Sequence, residues 1–414
     1  MYILLLPTLV FWGGLFYVLT QNERNTPMLK TAESVRAGHP DKLCDFIADC
    51  ILERALYEDP AARVAVEVLA TKARIYVAGE ITCSAKLEIP MLVRAALEYV
   101  GYNPRRFRIR VRVHRQSSDI ADGVDKSLEA RHGDTSSHSM VGAGDQGTVY
   151  GYATAETQEC LPLPLVYAHR ICRRLDEAFK EGKIPELGPD GKAQVTVEYD
   201  GNSPKRIATI VVSTQHQPGI NVEDFKQLLI SLIITPACRE IEIDTDTEIL
   251  INPSGRFVEG GPAADTGLTG RKLMVDTYGG LAPHGGGAFS GKDPSKVDRS
   301  GAYMARLIAK SMVDAGLAEQ CQVAISYAIG KADPVAFSVD TLGTGAYAQA
   351  LIEQACREVF PLRPAGIIEV LKLGKHTRFA QYSTYGHFGD LVASWEQTLD
   401  WATQLRRIVK GDAW

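Results

Sequence analysis

Residues 285–300, GGGAFSGKDPSKVDRS, begin with three glycines and continue with two lysines and two aspartates. Glycines before a helix let backbone N–H groups approach an anion, which the helix dipole also favours. Lys292 and Lys296 can add positive charge for phosphate, and Asp298 can hold a Mg²⁺ ion that binds phosphate. The segment therefore predicts a polyphosphate site, although the G-x-x-x-x-G-K-[ST] pattern is absent. For the glycines alone, a turn into a solvated helix is the simpler interpretation.

The same segment predicts where a helix begins. Asp293 suits the N-cap position and Pro294 the first helical position, so a helix is predicted over 294–315. Residues two apart in a regular helix do not face each other, so Lys296 and Asp298 would point apart. Either the helix start is irregular or the two side chains face different ligands.

A second polar segment, ESVRAGHPDK, places His39 and Asp41 around Pro40 at the start of another predicted helix. Asp41 could bind a divalent cation. His39 could donate a hydrogen bond to a leaving-group oxygen or act as an acid. The alternative is an N-capping histidine beside a solvated aspartate.

Two further segments carry residues suited to nucleotide or amino-acid binding. In GAGDQG, the glycines leave space for a ligand around Asp145, although a tight turn explains the pattern as well. In RFVEGGPAADTGLTGRK, Phe257 could stack on a base and is followed by Asp265, Arg271 and Lys272. A phenylalanine in the core is the alternative for Phe257.

Two carboxylates fall in predicted strands. Glu67 lies inside RVAVEVL, predicted as a strand over 63–69, where an unpaired buried charge would be costly. A metal ion or a cationic partner would resolve that cost. Glu80 ends the predicted strand 74–80 as a carboxylate that we expect to be buried. The DGK at 190–192 indicates only a turn.

The elements that must position these residues are both helical and extended. Leu43, Ile47 and Ile51 recur at helical spacing after Pro40, and an acidic stripe of Asp41, Asp45 and Asp49 repeats at the same spacing. Further strands are predicted over 106–112, 193–199 and 206–214, and further helices over 87–99, 222–232 and 345–359. The mixture predicts an α/β or α+β fold. The polar stretch 116–142 has no period and predicts a functional lid or a disordered linker.

Composition limits the class of protein. A chain of 414 residues that is 45% hydrophobic predicts two or three domains. A net charge of −5 without a long basic run gives no indication of nucleic-acid binding. Eight cysteines without a C-x-x-C pair indicate reduced thiols and a cytoplasmic protein.

The first 22 residues carry no charge and are long enough for a membrane helix. They lack the positive n-region and the clear cleavage site of a secretory signal. We interpret residues 1–27 as an apolar extension outside the fold, with the natural start at Met28 and no membrane association. A signal-anchor, and with it a membrane-tethered form of the protein, is the alternative.

Taken together, these segments resemble the S-adenosylmethionine synthetase (methionine adenosyltransferase) family, in its bacterial form. GHPDK, GEIT, GAGDQG, GGP with TGRK, DTYGG and the 285–300 segment occur in the family's order between residues 31 and 389. The resemblance implies three similar α/β subdomains around a pseudo-threefold axis, each a β-sheet packed with helices, with boundaries at 28–127, 128–255 and 256–414. It also implies a homodimer or homotetramer with active sites between two subunits, which would ease the difficulty with Lys296 and Asp298 because the ligands of one site could come from different chains.

The resemblance further implies a role for each residue. The catalytic residues would be His39, Arg271, Lys292 and Lys296. The ATP-binding residues would be His39, Asp190, Lys192, Arg256, Phe257, Asp265, Arg271, Lys272, Ala288, Lys292 and Ile329. The methionine-binding residues would be Glu80, Gln116, Asp145, Asp265 and Lys296. Two Mg²⁺ ions per site would be held by Asp41 and Asp298, and K⁺ by Glu67.

The reaction implied by the resemblance has two parts. The sulfur of L-methionine attacks C5′ of ATP and expels the triphosphate, which is then hydrolysed to pyrophosphate and phosphate. Sulfur needs no base, so the protein must align the reactants and stabilise a highly charged leaving group. This chain departs from the family in reading TVYGYAT where LMFGYAT is usual, and in a 116–142 segment longer than in the shorter bacterial members. In the family this segment is the mobile gate over the site.

Two other functions remain as alternatives. A non-catalytic regulatory subunit would bind nucleotide or a catalytic partner, but it would lack the site residues that are present here. A general ATP phosphotransferase would release ADP, whereas the synthetase reaction releases none.

Overall fold

The computed structural model describes residues 28–117 and 123–411. The predicted extension 1–27 and residues 118–122 of the predicted lid lie outside these ranges. No helix within them is long and apolar enough to cross a membrane.

Helices and strands alternate along the described chain. The strands are β1 Met28–Val35, β2 Arg63–Thr71, β3 Arg74–Thr82, β4 Arg108–His114, β5 Gly147–Thr154, β6 Leu187–Asp200, β7 Ser203–His216, β8 Glu248–Ile251, β9 Gly267–Leu268, β10 Gln320–Tyr327 and β11 Ala336–Asp340. The longer helices are α1 Pro40–Glu58, α2 Ile89–Val100, α3 Leu163–Lys180, α4 Val222–Leu229, α5 Val297–Asp314, α6 Gln349–Val359, α7 Pro364–Val370 and α8 Leu399–Lys410.

The described strands form three sheets. Their strand orders are β4-β3-β2-β9, β1-β6-β7-β8 and β11-β10-β5. Helix α1 packs on the first sheet, α3 on the second and α5 on the third. The predicted fold class, with three sheets each packed with helices, is therefore confirmed. Each sheet also takes one strand from a distant part of the chain: β9 joins the first, β1 the second and β5 the third.

The hydrophobic side chains form two clusters. The larger one contains α1, α5 and the inner faces of the first and third sheets, and the smaller one joins α3 to the second sheet. In β2 the three valines of RVAVEVL face this core, whereas Glu67 lies on the opposite, exposed face. The expectation of a buried charge at Glu67 was therefore wrong, because strand alternation directs this side chain outward.

The predicted helices and strands exist, with shifted bounds, but the interpretation of the DGK at 190–192 as a turn was wrong, because these residues lie within β6. The predicted helix 294–315 begins only at Val297, and its N-cap is Lys296 rather than Asp293. The buried Asp293 instead accepts a hydrogen bond from the backbone N–H of Val64 at 2.7 Å, which ties it to β2. The predicted helix 222–232 ends at Leu229 and continues as a π-helical turn to Ile234.

The described part of the polar stretch 116–142 is folded. Ser127 caps the short helix Leu128–Arg131, and the backbone N–H of Leu128 donates to Gly330 O at 2.8 Å. The carboxylate of Glu129 accepts a hydrogen bond from the backbone N–H of Ala332 at 2.8 Å. These contacts fix residues 123–142 against the loop that carries Ile329.

Candidate active site

Two polar loops lie along the same edge of β2. The backbone N–H groups of Thr269 and Asp293 donate hydrogen bonds to carbonyl oxygens of β2, each at 3.0 Å. The carbonyl oxygen of Gly291 accepts a hydrogen bond from a backbone N–H of β2, also at 3.0 Å. The loops also touch each other, because a Cβ added at Gly270 would lie 2.6 Å from Cβ of Ala288. The GRK and GKDPSK segments, nearly 20 residues apart in sequence, are therefore held side by side by one strand.

The acidic stripe of α1 holds these loops from beneath. Its three carboxylates accept backbone N–H groups at 2.8–3.0 Å, in the pairs Asp41 with Leu268, Asp45 with Gly270 and Asp49 with Gly291. All three aspartates are buried. Carboxylates that accept backbone N–H groups fix a loop without needing a metal ion. The stripe predicted from helical spacing is therefore structural along most of its length.

The first polar group consists of His39 and Asp41 together with Arg271 and Lys272. His39 is the N-cap of α1, and its Nδ1 accepts from the backbone N–H of Asp41 at 3.2 Å. Asp41 is buried, so the alternative of a solvated aspartate was wrong. Its carboxylate pairs with Lys272 at 2.7 Å and with Arg271 at 3.5 Å. Although burial opposes it, the hydrogen bond from Lys272 keeps the pKa of Asp41 below its ordinary value.

The His39 ring is uncharged at neutral pH. Burial and then the nearby Lys272 ammonium lower the pKa of His39 to about 4. Because Nδ1 accepts a hydrogen bond, the ring proton lies on Nε2, which can donate to an oxygen atom of a ligand. Lys192 and Asp265 also act on this ring electrostatically, so both lie near it. The geometry favours hydrogen-bond donation over proton release for this residue.

Asp190 and Phe257 are fixed by their surroundings. Asp190 accepts from the backbone N–H of Gly261 at 2.7 Å, and burial raises the pKa of this carboxyl. Phe257 is only partly buried, so it is not a core side chain. The backbone of Phe257 exchanges two hydrogen bonds with His216, of 2.9 Å and 3.1 Å. The backbone that carries the Phe257 ring is therefore fixed, while the side chain is partly accessible to solvent. Arg256 beside it is exposed.

The second polar group lies at the start of α5. The Lys292 ammonium is 2.6 Å from an Asp298 oxygen, and the Lys296 ammonium is 2.5 Å from an Asp293 oxygen. Lys296 precedes the helix in an extended conformation, so the irregular helix start that the sequence left open is present. A Cβ added at Gly287 would lie 2.2 Å from Oδ1 of Asp298. Only glycine lets this loop pack on the carboxylate.

The GAGDQG segment packs beside this group. A Cβ at Gly144 would lie 2.9 Å from the Ser295 carbonyl oxygen, so the segment contacts the residue before Lys296. Asp145 is exposed and accepts from the backbone N–H of Gln146 at 2.7 Å. Ala143 forms a β-bridge with Ile329, whose side chain is 50% exposed. The segment therefore bends at Gly144 and Asp145, with the Asp145 carboxylate exposed.

The remaining predicted residues lie on the first sheet. Glu67 is exposed, and the side chain of Glu80 is 40% exposed and lies 3.2 Å from His114. The expectation that Glu80 is buried was wrong, because the end of β3 is open to solvent. The backbone N–H of Gln116 donates to Thr82 at 3.1 Å. Among the described residues, no ion pair joins Glu67 or Glu80 to the two polar groups.

A buried charge network beneath both groups was not predicted. Its members are Lys42, Asp45, Asp49, Asp276 and Arg299, all fully or almost fully buried. The Lys42 ammonium lies between the carboxylates of Asp45 and Asp276. Most of these partners are more than 200 residues apart in sequence, so no local pattern could have revealed the pairs.

Models of one protein family match almost all of the described chain. They are the N-terminal, central and C-terminal domains of S-adenosylmethionine synthetase, which match residues 27–123, 140–257 and 259–397. The chain belongs to the S-adenosylmethionine synthetase family. It is a methionine adenosyltransferase, which makes S-adenosylmethionine from L-methionine and ATP.

Several relatives share this family name. The S-adenosylmethionine synthases of Desulforudis audaxviator and Corynebacterium kroppenstedtii are each 49% identical over 387 residues, covering 91% and 90% of this chain and 98% and 96% of their own. That of Nocardia farcinica is 49% identical over 394 residues, with 91% and 97% covered. The similarity to these synthetases therefore extends over about nine tenths of this chain and nearly the full length of each relative.

Proposed function

We propose that the two polar groups bind the triphosphate of ATP during synthesis of S-adenosylmethionine. The observation that carries this proposal is the pairing of Lys272 with Asp41 and of Lys292 with Asp298. A Mg²⁺–triphosphate gives each lysine a phosphate oxygen and each aspartate a metal ion, so no charge loses its partner. Arg271 and Lys296 add positive charge beside the same two loops.

The donor set fits magnesium. Among the described residues, no group of three or more histidine, cysteine or acidic side chains could form a metal cage. Mg²⁺ usually takes one or two protein carboxylates and completes its shell with phosphate oxygens and water. Asp41 and Asp298 would each hold one ion. The metal would neutralise charge on the departing triphosphate.

The chain itself supplies alignment and hydrogen bonding. Nε2–H of His39 donates to the oxygen that leaves C5′, and Phe257 with Ile329 encloses the adenine ring. Arg256, Asp190, Lys192 and Ala288 complete the ATP contacts. L-methionine is held by Glu80, Gln116, Asp145, Asp265 and Lys296. Attack by the neutral sulfur needs no base, so rate depends on alignment and on the preorganised charges around the triphosphate. The same cations hold the triphosphate during its hydrolysis to pyrophosphate and phosphate.

A second copy of the chain would complete the site. The outer face of the first sheet exposes Glu67, Tyr76 and Arg110, and the methionine-binding Glu80 lies at its end. A sheet face with exposed aromatic and charged side chains beside the substrate loops is suited to a self-complementary contact. We propose a homodimer on this face, which can pair into a tetramer, in the cytoplasm. K⁺ would bind Glu67 with further oxygen ligands that this contact brings.

Co-expression of two inactive chains with different tags tests the shared site. Lys272→Met disables the first polar group and Lys292→Met the second. If each site combines the first group of one chain with the second group of its partner, a random mixture regains about a quarter of wild-type activity. No recovery in isolated heterodimers means that both groups act within one chain.

Product analysis tests the chemistry of the same preparation. With ATP, L-methionine, Mg²⁺ and K⁺, we expect equal amounts of S-adenosylmethionine, pyrophosphate and phosphate. ADP as a stoichiometric product would contradict attack at C5′.

A further inference from the structure

Arg299 follows the proposed magnesium ligand Asp298 but is directed into the core. Its side chain is fully buried, and its Nη2 donates to both oxygens of Asp49 at 2.9 Å and 2.6 Å. Its Nη1 donates to the carbonyl oxygen of Lys292 at 3.0 Å. The guanidinium therefore connects α1, α5 and the backbone of a proposed phosphate ligand.

The same carboxylate holds the preceding residue. Oδ1 of Asp49 accepts from the backbone N–H of Gly291 at 2.9 Å. Gly291 has φ of +81°, and a Cβ there would lie 2.1 Å from the carbonyl oxygen of Val66. Three contacts thus fix the backbone of this dipeptide. Asp49 accepts from the N–H of Gly291, β2 donates to the carbonyl oxygen of Gly291, and Arg299 donates to the carbonyl oxygen of Lys292.

We infer that Arg299 and Asp49 are positioning residues for Lys292. The inference rests on the proposed function, in which Lys292 binds the triphosphate. Neither residue reaches the substrate itself, because both are fully buried beneath the loop. The planar guanidinium donates from two nitrogens, Nη2 to the Asp49 carboxylate and Nη1 to the Lys292 carbonyl, and so fixes a backbone position that a single hydrogen bond would leave loose. The side chain of Lys292 therefore extends from a Cα whose position is fixed, and its ammonium group lies 2.6 Å from an Asp298 oxygen.

A fixed Cα has a direct consequence for catalysis. Stabilisation of a leaving group depends on charges that are already in place when the bond breaks. The four-carbon stem of lysine can absorb part of a backbone shift. We therefore expect loss of the Arg299 contact to weaken triphosphate binding about tenfold. This is less than the roughly hundredfold loss of reaction rate that a 1 Å misplacement of a reacting group can cause.

The chain contains a matched control on the same helix. Arg306, seven residues after Arg299, is equally buried and pairs with the fully buried carboxylate of Glu396 at 2.8 Å. Its remaining hydrogen bonds go to the backbone carbonyls of Tyr152, Glu159 and Cys160. None of these residues belongs to the proposed site. Arg306→Lys therefore reports the general cost of weakening a buried arginine–carboxylate pair.

The experiment compares Arg299→Lys with Arg306→Lys in the full chain. Calorimetric titration with inorganic tripolyphosphate and Mg²⁺ measures binding without turnover, and steady-state kinetics give kcat and KM for each substrate. We expect Arg299→Lys to weaken tripolyphosphate binding about tenfold and to lower kcat/KM for ATP similarly, with KM for methionine within about twofold of wild type. Arg306→Lys should lose thermal stability without weakening tripolyphosphate binding. Equal weakening in both variants, or none in Arg299→Lys, overturns the inference.

Two further variants keep the result interpretable. Asp49→Asn preserves the acceptor for Gly291 and the side-chain volume but removes the charge that orients Arg299. It should therefore also weaken tripolyphosphate binding, and it serves as the test if Arg299→Lys does not fold. Wild-type binding in Asp49→Asn then overturns the inference. Lys292→Met tests the proposed function directly. If it loses binding while Arg299→Lys does not, only the positioning role is wrong; if it retains binding, the proposed phosphate site is wrong as well.

Discussion

The hydroxyl of Tyr102 donates a hydrogen bond of 2.5 Å to the carbonyl oxygen of Gly38, the residue before His39. Its ring also lies against Gly261, where an added Cβ would be 2.0 Å from the hydroxyl oxygen. Burial raises the pKa of Tyr102, so the hydroxyl remains a donor at physiological pH. Tyr102 therefore connects the GHPDK loop to the loop that Asp190 holds.

We expect Tyr102→Phe to impair catalysis as well as stability. The change leaves the Gly38 carbonyl without its donor, at a cost of about 1–3 kcal/mol, and frees the backbone that orients the His39 ring. The expected result is a fall in kcat of about tenfold, since that ring must lie within hydrogen-bond reach of the departing oxygen. Steady-state kinetics and urea unfolding of the same preparation separate the two effects.

Tyr167→Phe is the control for this prediction. The Tyr167 hydroxyl is buried and accepts a backbone N–H from Ile241 at 2.9 Å, away from both polar groups. It should lose stability with kcat close to wild type. Comparable losses of kcat in the two variants would mean that any buried tyrosine hydroxyl has this effect.

Lys42 is the cation of a buried group with two carboxylates, so its removal should destabilise the fold. In Lys42→Met, the carboxylates of Asp45 and Asp276 lose their shared counter-ion, and breaking a buried pair costs about 3–5 kcal/mol. Burial already raises the pKa of Asp45 to about 7 and also raises that of Asp276. The urea midpoint at pH 8 gives the size of the loss.

The loss in Lys42→Met should depend on pH with a definite sign. A carboxyl whose pKa is higher in the folded state than in the unfolded state binds more protons when folded, so stability falls as pH rises between the two pKa values. In wild type that window for Asp45 runs from the ordinary value near 4 to about 7, and the Lys42 ammonium is one of the groups that lower its upper end. Without Lys42 the pKa of Asp45 rises further, so the additional loss in the variant develops as pH rises past about 7. The variant should therefore be closer to wild type at pH 5.5 than at pH 8. A deficit that is equal at both values would exclude the carboxylates as its cause.

The sequence predicted the residues of the two groups better than their surroundings. Helical spacing revealed the Asp41, Asp45 and Asp49 stripe because its members lie on one helix. Asp293 was predicted as an N-cap because nothing near it in sequence indicates the true partner of its carboxylate. That partner is the backbone N–H of Val64, which is 229 residues away. The orientation of Glu67 could have been predicted, since the alternating valines of RVAVEVL already place it on the other face.

Glu129 ties the folded part of the polar stretch to the loop carrying Ile329, and its loss should weaken ATP binding. Its carboxylate accepts from the backbone N–H groups of Ala332 at 2.8 Å and Asp333 at 3.3 Å. Although burial opposes it, these hydrogen bonds together hold the pKa of Glu129 below its ordinary value. This contribution is present at neutral pH and is lost as pH falls through the lowered pKa. In Glu129→Ala, we expect KM for ATP to rise about five- to tenfold at pH 8, because the adenine contact loses its support.

Glu369→Ala is the matched control for Glu129. Glu369 anchors the same stretch through His138 at 2.8 Å, but within the described parts of the chain it makes no hydrogen bond to the loop of Ile329. KM for ATP in this variant should stay within about twofold of wild type. Equal increases in both variants would show that ATP binding depends on the stretch as a whole.

Asp145 tests the placement of methionine. Its exposed carboxylate accepts only the N–H of the next residue among the hydrogen bonds described, so Asp145→Asn should leave the fold intact. We expect it to lower kcat/KM for methionine by at least about tenfold, since a charge-assisted hydrogen bond to the substrate ammonium group is worth about 1.5–3 kcal/mol. KM for ATP and the thermal midpoint should change little. Asp200→Asn, at an exposed carboxylate that ends β6, should alter neither substrate constant. Normal methionine turnover in Asp145→Asn would place the amino-acid site elsewhere, because no other carboxylate of the GAGDQG segment could substitute for it.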